Sequence, residues 1–319
     1  MEVSLRVLRY AVAAAEKGQV TEAARALNVS QPSVSSAMAD LEDAVGVQVF
    51  VRHHARGVTL TPAGQKIIRE ARLLLRHASD FVQNAVDLGT ILKGEISVGC
   101  FQTLAVRFLP QLLSGFMREH PGISVNIQEG DPEELLTMLQ NGHTELVLSY
   151  HYGLPTEVEG VPLGELPPYV ILASDHPLAK KKELTLKQLR DEPFILMDLP
   201  HSREYFAELF RRAGFEPNIA FKSRSYELIR GLVAQGYGFA IQNAIPATKW
   251  TYDGCTVAAL PLANPYLSVE VSLMRLRRQS PRPAVQAFVE YVQEQFGDAG
   301  MFSPGSVLPA VRSTRKSSR

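Results

Sequence analysis

The chain has 319 residues, of which 45% are apolar and 21% charged, values that fit two or three globular domains with real cores. Its 33 Lys and Arg balance 33 Asp and Glu, so a uniformly basic nucleic-acid coat is excluded and any DNA contact must be local. Two cysteines, Cys100 and Cys255, give no disulfide framework or metal cluster, and no apolar run reaches membrane-spanning length; the expectation is a reducing, cytoplasmic setting without a membrane partner.

Leu5, Leu8, Val12 and Ala15 predict an opening helix. Residues 18–45 then read as two short helices around a tight turn. Thr21 is placed to cap the first, with Ala23, Ala24 and Leu27 facing inward, and Asn28 and Val29 form the turn. Ser30 caps the second. Pro32 fits its first turn, where an N–H has no intrahelical acceptor, and Val34, Met38, Leu41 and Val45 follow at helical spacing. This is the helix-turn-helix pattern, whose second helix lies in the DNA major groove. The competing reading of the same residues is an ordinary helical hairpin. Short strands at 47–51 and 58–60 flank Arg52 to Gly57, a wing from which Arg52 and Arg56 can reach phosphates.

Residues 4–64 resemble the DNA-binding domain of LysR-type transcriptional regulators. Ala23-Ala24, Leu27, the run from Val29 to Ser35, Leu41-Glu42, Gly46-Val47, Phe50-Val51-Arg52 and the run from Leu60 to Gly64 carry the resemblance, and the family order continues to about residue 297. It implies double-stranded DNA as a partner. The expected contact residues are Thr21, Ser30, Gln31, Pro32, Ser33, Ser35, Ser36, Arg52 and Arg56. Family members often carry basic residues after the recognition-helix serine, where this chain has Ser36, Ala37 and Asp40. Residues 1–64 hold six basic and six acidic side chains, so phosphate neutralisation should be modest. Base reading then rests on Gln31, Ser33 and Ser36, glutamine being suited to adenine.

Thr61-Pro62 predicts the start of a long helix running to Lys93. Ile67, Leu74, Phe81 and Leu88 recur every seven residues; Ala71, Ala78, Ala85 and Leu92 do so offset by four. That is a seam for a closely approaching partner helix, on a rod of roughly 48 Å at about 1.5 Å per residue. The resemblance implies the same, a linker helix pairing into a homodimer within a homotetramer. Lys66, Arg69, Arg72 and Arg76 sit near its DNA end, either as a solvated face or as backbone contacts.

From Glu95 strands and helices alternate, which predicts a parallel sheet. Strands fall at 96–98, 123–128 and 146–148. Helices follow from a Thr103 cap and from Asp131. A second α/β unit follows Pro162, with strands at 169–173, 194–197, 219–222 and 239–241 and helices from Ser202 and Tyr226. A strand at 268–276 and a helix at 283–296 close the fold. The expected division is an all-α-dominated winged helix-turn-helix at 1–61, a linker helix at 62–93, an effector-binding domain at 94–297 and a disordered tail at 298–319. Subdomain I takes 94–161 and 268–297, subdomain II 162–267. The resemblance implies a two-subdomain α/β fold like periplasmic solute-binding proteins, with a ligand cleft between the halves.

Open α/β sheets bind ligands at the carboxyl ends of their strands. The effector candidates are therefore Phe101, Gln102, Thr103, Ser149, Tyr150, Pro200, His201 and Ser202. Two helix N-termini facing one cleft favour an anion, and the rings favour an apolar body, so a small carboxylate is expected. Thr103 and Ser202 also read as plain caps. Cys100 reads as a redox switch or a small pocket-lining residue. The sequence lacks a phosphate loop, a nucleophile elbow and metal-ligand spacing, so neither cofactor, metal nor enzyme activity is expected. The combined expectation is a DNA-binding regulator modulated by a small effector, with RNA polymerase as a further candidate partner. A periplasmic-type binding protein would leave the helix-turn-helix unexplained, and an enzyme on the same scaffold would lack a reactive constellation.

Overall fold

The computed structural model describes residues 3–53, 57–86, 92–263, 268–277, 281–298 and 300–302. Helices α1 (Leu5–Lys17), α2 (Val20–Leu27) and α3 (Gln31–Val45) close on a small core that includes Leu8, Val12, Ala23, Ala24, Val34, Met38 and Leu41. Alanines at 23 and 24 leave room for the crossing. Asn28 turns the chain at φ 54°, a left-handed conformation that short polar side chains tolerate. Strands β1 (Phe50–His53) and β2 (Gly57–Leu60) pair antiparallel as the wing. Gly57 cannot be replaced without movement: at φ 90°, an added Cβ would stand 2.0 Å from the Gly18 carbonyl oxygen. Helix α4 (Pro62–Val86) starts where the Thr61 hydroxyl accepts the Gly64 N–H at 2.8 Å.

Several local expectations shift. Gln19, without a side-chain bond, precedes α2, so Thr21 lies inside that helix and caps nothing. The stripe of α3 ends at Leu41, because Val45 is exposed. Leu92 and Lys93 are not helical. Leu88 and the side chain of Ala85 lie outside the described residues.

The C-terminal part begins with β3 (Gly94–Phe101), α5 (Gln102–Glu119), β4 (Ile123–Gly130), α6 (Pro132–Gln140), β5 (Leu146–Tyr150) and β6 (Val158–Leu166). Next come β7 (Tyr169–Ala173), β8 (Pro193–Met197), α7 (Ser202–Ala213), β9 (Asn218–Ser223), α8 (Tyr226–Ala234), β10 (Ala240–Gln242) and β11 (Val257–Pro261). Strand β12 (Val269–Leu276) and α9 (Pro283–Phe296) complete it. One five-stranded sheet has the order β4-β3-β5-β12-β6. Its β3 pairs are parallel, but β12 runs antiparallel to both β5 and β6, so the sheet is mixed. The other half holds an antiparallel sheet β10-β7-β11 and a parallel pair β8-β9, joined by a bridge between Phe194 and Phe239.

Strand β6 was hidden in the sequence by its internal Pro162 and glycines, which an edge strand tolerates. It runs to Leu166, so a division at 161/162 would cut a strand; the chain leaves the first sheet after Leu166 and rejoins it at Val269. Phe302 is buried against Phe108 and Phe296, with ring centroids 4.9 and 5.3 Å away. The fold therefore extends past residue 297, and residues 303–319 of the expected tail lie outside the described residues.

Helix α4 is fastened to this second part. Arg69, Arg72 and Arg76 donate to the carbonyls of Gln140, Asn141 and Gly142 at 3.0, 2.6 and 2.8 Å. Three cations thus meet the negative end of α6, where helix carbonyls lack partners. These arginines are neither a solvated face nor free for DNA. Further along α4, Asp80 pairs with Arg282, which also binds Glu145 at 2.7 Å and the Glu95 carbonyl at 2.6 Å.

Candidate functional site

Gln31, Pro32, Ser33 and Ser36 are exposed along the start of α3, and Ser35 is half-buried. The Ser30 hydroxyl accepts the Ser33 N–H at 3.3 Å and lies 2.7 Å from the Ser33 hydroxyl. Both serines are thus already engaged in capping, while Gln31 projects freely from the first turn. Glu42 accepts the N–H groups of Val49 and Phe50 at 2.8 and 2.9 Å. That carboxylate ties the wing to α3 rather than opposing DNA. Arg52 is exposed on β1, and His53 bonds Thr59 across the wing at 2.8 Å. Arg56 lies outside the described residues.

Between the two halves of the C-terminal part lies a cavity of about 30 Å³, walled chiefly by Phe101, Thr103, Tyr150, Tyr152, Ser202, Tyr205, Tyr226 and Gln242. Burial pushes the Tyr205 phenol up to about 12, and raises Tyr150, Tyr152 and Tyr226 further. These rings stay neutral in the physiological range. The Thr103 hydroxyl lies beside the Tyr150 phenol without completing a hydrogen bond. Both ends of the Gln242 carboxamide are also buried without partners. Such groups cost about 1–3 kcal/mol each when left unsatisfied, so the cavity is stocked with hydrogen-bonding capacity that the protein does not use. Among the described residues, no charged side chain lines it.

A second cavity of about 300 Å³ adjoins the first and shares Tyr150 and Tyr152 with it. Its other walls include Leu136, Leu154, Pro155, Ser149, His201 and Met274. Above it, Asp131 caps α6 and meets Arg224 from the opposite half at 2.9 Å. A larger hollow of about 620 Å³ lies between α4 and α6. Its arginines already face Glu16, Asp80 and Glu145, which makes it a poorer ligand site.

Residues 5–65 match the bacterial regulatory helix-turn-helix model of the lysR family, and residues 90–297 match the LysR substrate binding domain. The chain belongs to the LysR family of transcriptional regulators. It is similar to HinK, a LysR family regulator from Pseudomonas aeruginosa, at 38% identity over 93% of this chain and 99% of that one, with a TM-score of 0.63. Full-length OxyR from the same organism gives 26% identity and a TM-score of 0.72 over 92% and 98% of the two chains. The transcriptional activator LysR of Escherichia coli is 29% identical over 91% of this chain and 93% of its own. The protein is thus a DNA-binding regulator with an effector-binding domain, and not an enzyme.

In this LysR-family domain Phe101, Thr103, Tyr150 and Ser202 line the inner cavity, while Ser149, Tyr150 and His201 line the outer one. Gln102 and Pro200 line neither. Thr103 is the second residue of α5 and forms no cap, which leaves its hydroxyl open. The anion argument weakens at α7, whose Ser202 and Arg203 N–H groups already donate to Pro200 and Leu199 at 2.7 and 3.3 Å. Cys100 is neither switch nor pocket wall: it is fully buried in β3, where burial first and Glu129 second hold its thiol well up. Sequence reasoning missed Gln242, Tyr152, Tyr205 and Tyr226. Gln242 could have been found, since it ends β10 and the carboxyl-end rule applies there too.

Proposed function

We propose that this LysR-family regulator binds operator DNA through α3 and the wing in the cytoplasm, as a homotetramer of linker-paired dimers, and alters DNA bending when a small carboxylate effector enters the cleft. The observation that carries the effector reading is the pair of buried, unpartnered groups, Thr103 and Gln242, between the two subdomains. A carboxylate accepts from the Thr103 hydroxyl, the Gln242 amide and the first turn of α5. A cavity of about 30 Å³ holds little more than one water. Binding must therefore move rings or subdomains, and only differential affinity for the two arrangements drives the change. Helix α6 supports the coupling: its start meets Arg224 across the cleft, and its end is gripped by three arginines of α4.

Thr103→Val keeps the shape and removes the hydroxyl. It is expected to weaken the effector response about tenfold, in line with one lost hydrogen bond to a charged group, and to leave effector-free DNA binding intact. The test is a mobility-shift assay on the DNA flanking the gene, with a panel of carboxylates. An unchanged response in both Thr103→Val and Gln242→Leu would move the site elsewhere, and a cationic effector would overturn the class.

On the DNA side, Gln31→Ala should lose about 1–3 kcal/mol of discrimination at one base pair. Arg52→Ala should weaken all sequences alike and lower the salt slope by about one. Equal losses of Gln31→Ala on operator and random DNA would remove it from the base readout.

A further inference from the structure

We propose that Tyr152 is a displaceable plug dividing one effector site into two chambers, and that the ligand is a two-part molecule with a hydrogen-bonding head and a flat apolar body. The inference rests on the cleft reading above and names the ligand class and gate of that site. Neither chamber suffices alone. The inner one has Thr103 and Gln242 unpartnered but only about 30 Å³ of space. The outer one has about 300 Å³ and mostly apolar walls, at the lower end of the range for small-molecule pockets. Tyr152 lines both. Removing its ring from the boundary joins room to chemistry.

The ring is held by stacking. It lies parallel to the His201 ring at 5.1 Å and 12°, and edge-on to Tyr150 at 5.9 Å. Its hydroxyl forms no hydrogen bond among the described residues. Gly153, next in the chain, sits at φ 63° with open space around it, so the backbone can pivot there. His201 stands at φ 61°, ψ −36°, a conformation that side-chain-bearing residues rarely adopt. The strained residue presents its ring face to Tyr152 from the opposite subdomain. A ligand that displaces Tyr152 inherits that face, which selects a planar body. The buried, unpartnered Ser149 hydroxyl in the outer chamber is available to a polar ring substituent.

The test titrates acetate, benzoate and 3-phenylpropionate into the full-length protein by calorimetry. The variants are Tyr152→Ala, Tyr152→Phe, Thr103→Val and Tyr152→Ala combined with Thr103→Val, with circular dichroism confirming that each folds. Tyr152→Ala should bind 3-phenylpropionate at least about tenfold tighter than wild type, since the cost of opening is removed. Acetate should gain nothing, Tyr152→Phe should behave as wild type, and the added Thr103→Val should reverse the gain. Equal 3-phenylpropionate affinity in wild type and Tyr152→Ala, or no binding by Tyr152→Ala, overturns the plug. If Thr103→Val alone lowers aryl carboxylate affinity while Tyr152→Ala changes nothing, the plug is wrong and the cleft reading stands. A gain in Tyr152→Ala that Thr103→Val does not reverse overturns the two-chamber ligand and removes the head group from the inner cavity.

Discussion

On the proposed pairing of α4 with a second copy, Phe81→Glu is expected to leave the protein monomeric. Phe81 is 74% exposed on α4, and Leu74 and Val82 are 52% and 60% exposed. Large apolar side chains in such a row mark an interaction surface, and the seven-residue step from Leu74 to Phe81 suits a second copy of the same helix. Burying one phenylalanine stabilises by about 1.5–3 kcal/mol. A two-fold interface counts the change twice, so the loss is about 3–6 kcal/mol, or roughly a 10²–10⁴-fold rise in the dimer Kd. Operator affinity falls with it, because two half-sites no longer act together. Sedimentation velocity across a dilution series reads the result, and an unchanged profile would refute the seam. Ala71→Glu is the contrasting variant. Ala71 is buried against the protein's own N-terminal core, so that change should unfold rather than unpair.

Arg282→Ala is expected to destabilise the effector domain by about 3–5 kcal/mol, the cost of stranding buried carboxylates. Arg282 is 2% exposed and holds Asp80 of α4, Glu145 and the Glu95 carbonyl together. Burial alone would lower its pKa, but the two carboxylates more than offset this and hold it up. Removing it leaves Asp80 and Glu145 without their shared cation and releases α4 from the first sheet. Arg282→Lys keeps the charge but not the fork that serves three acceptors, so it should recover only part of the loss. Urea unfolding measures the stability, and hydrogen exchange along α4 measures the release. A loss below about 1 kcal/mol, as for an exposed pair, would show that the network contributes little.

Much of the architecture was legible because its cues are short-range. The Ser30 cap with Ser33, and the Asp131–Glu134 capping box, join residues three apart. The all-apolar run of β5 announced a buried strand. The Ala-Ala pair and the turn at Asn28 specified how α2 meets α3. At Gly238, just before β10, an added Cβ would stand 2.2 Å from the Pro193 carbonyl oxygen, a close approach that only glycine allows.

Other features belong to the packed chain alone. Arg69, Arg72 and Arg76 find their acceptors 66 to 71 residues away, at carbonyls that become available only where α6 ends. Strand β6 and its partner β12 are separated by the whole second subdomain, so their pairing leaves no local trace. Gln242 and Tyr152 carry no motif; Gln242 is singled out by burial without a hydrogen bond, and Tyr152 by its position between two cavities. The seven-residue repeat of α4 is equally regular in both of its rows. Docking of Arg72 and Asp80 onto the second part turns one side of that helix inward and leaves Leu74 and Phe81 outward. Helical spacing determines which residues share a face, but what that face meets depends on groups distant in sequence, and only the tertiary structure brings them there.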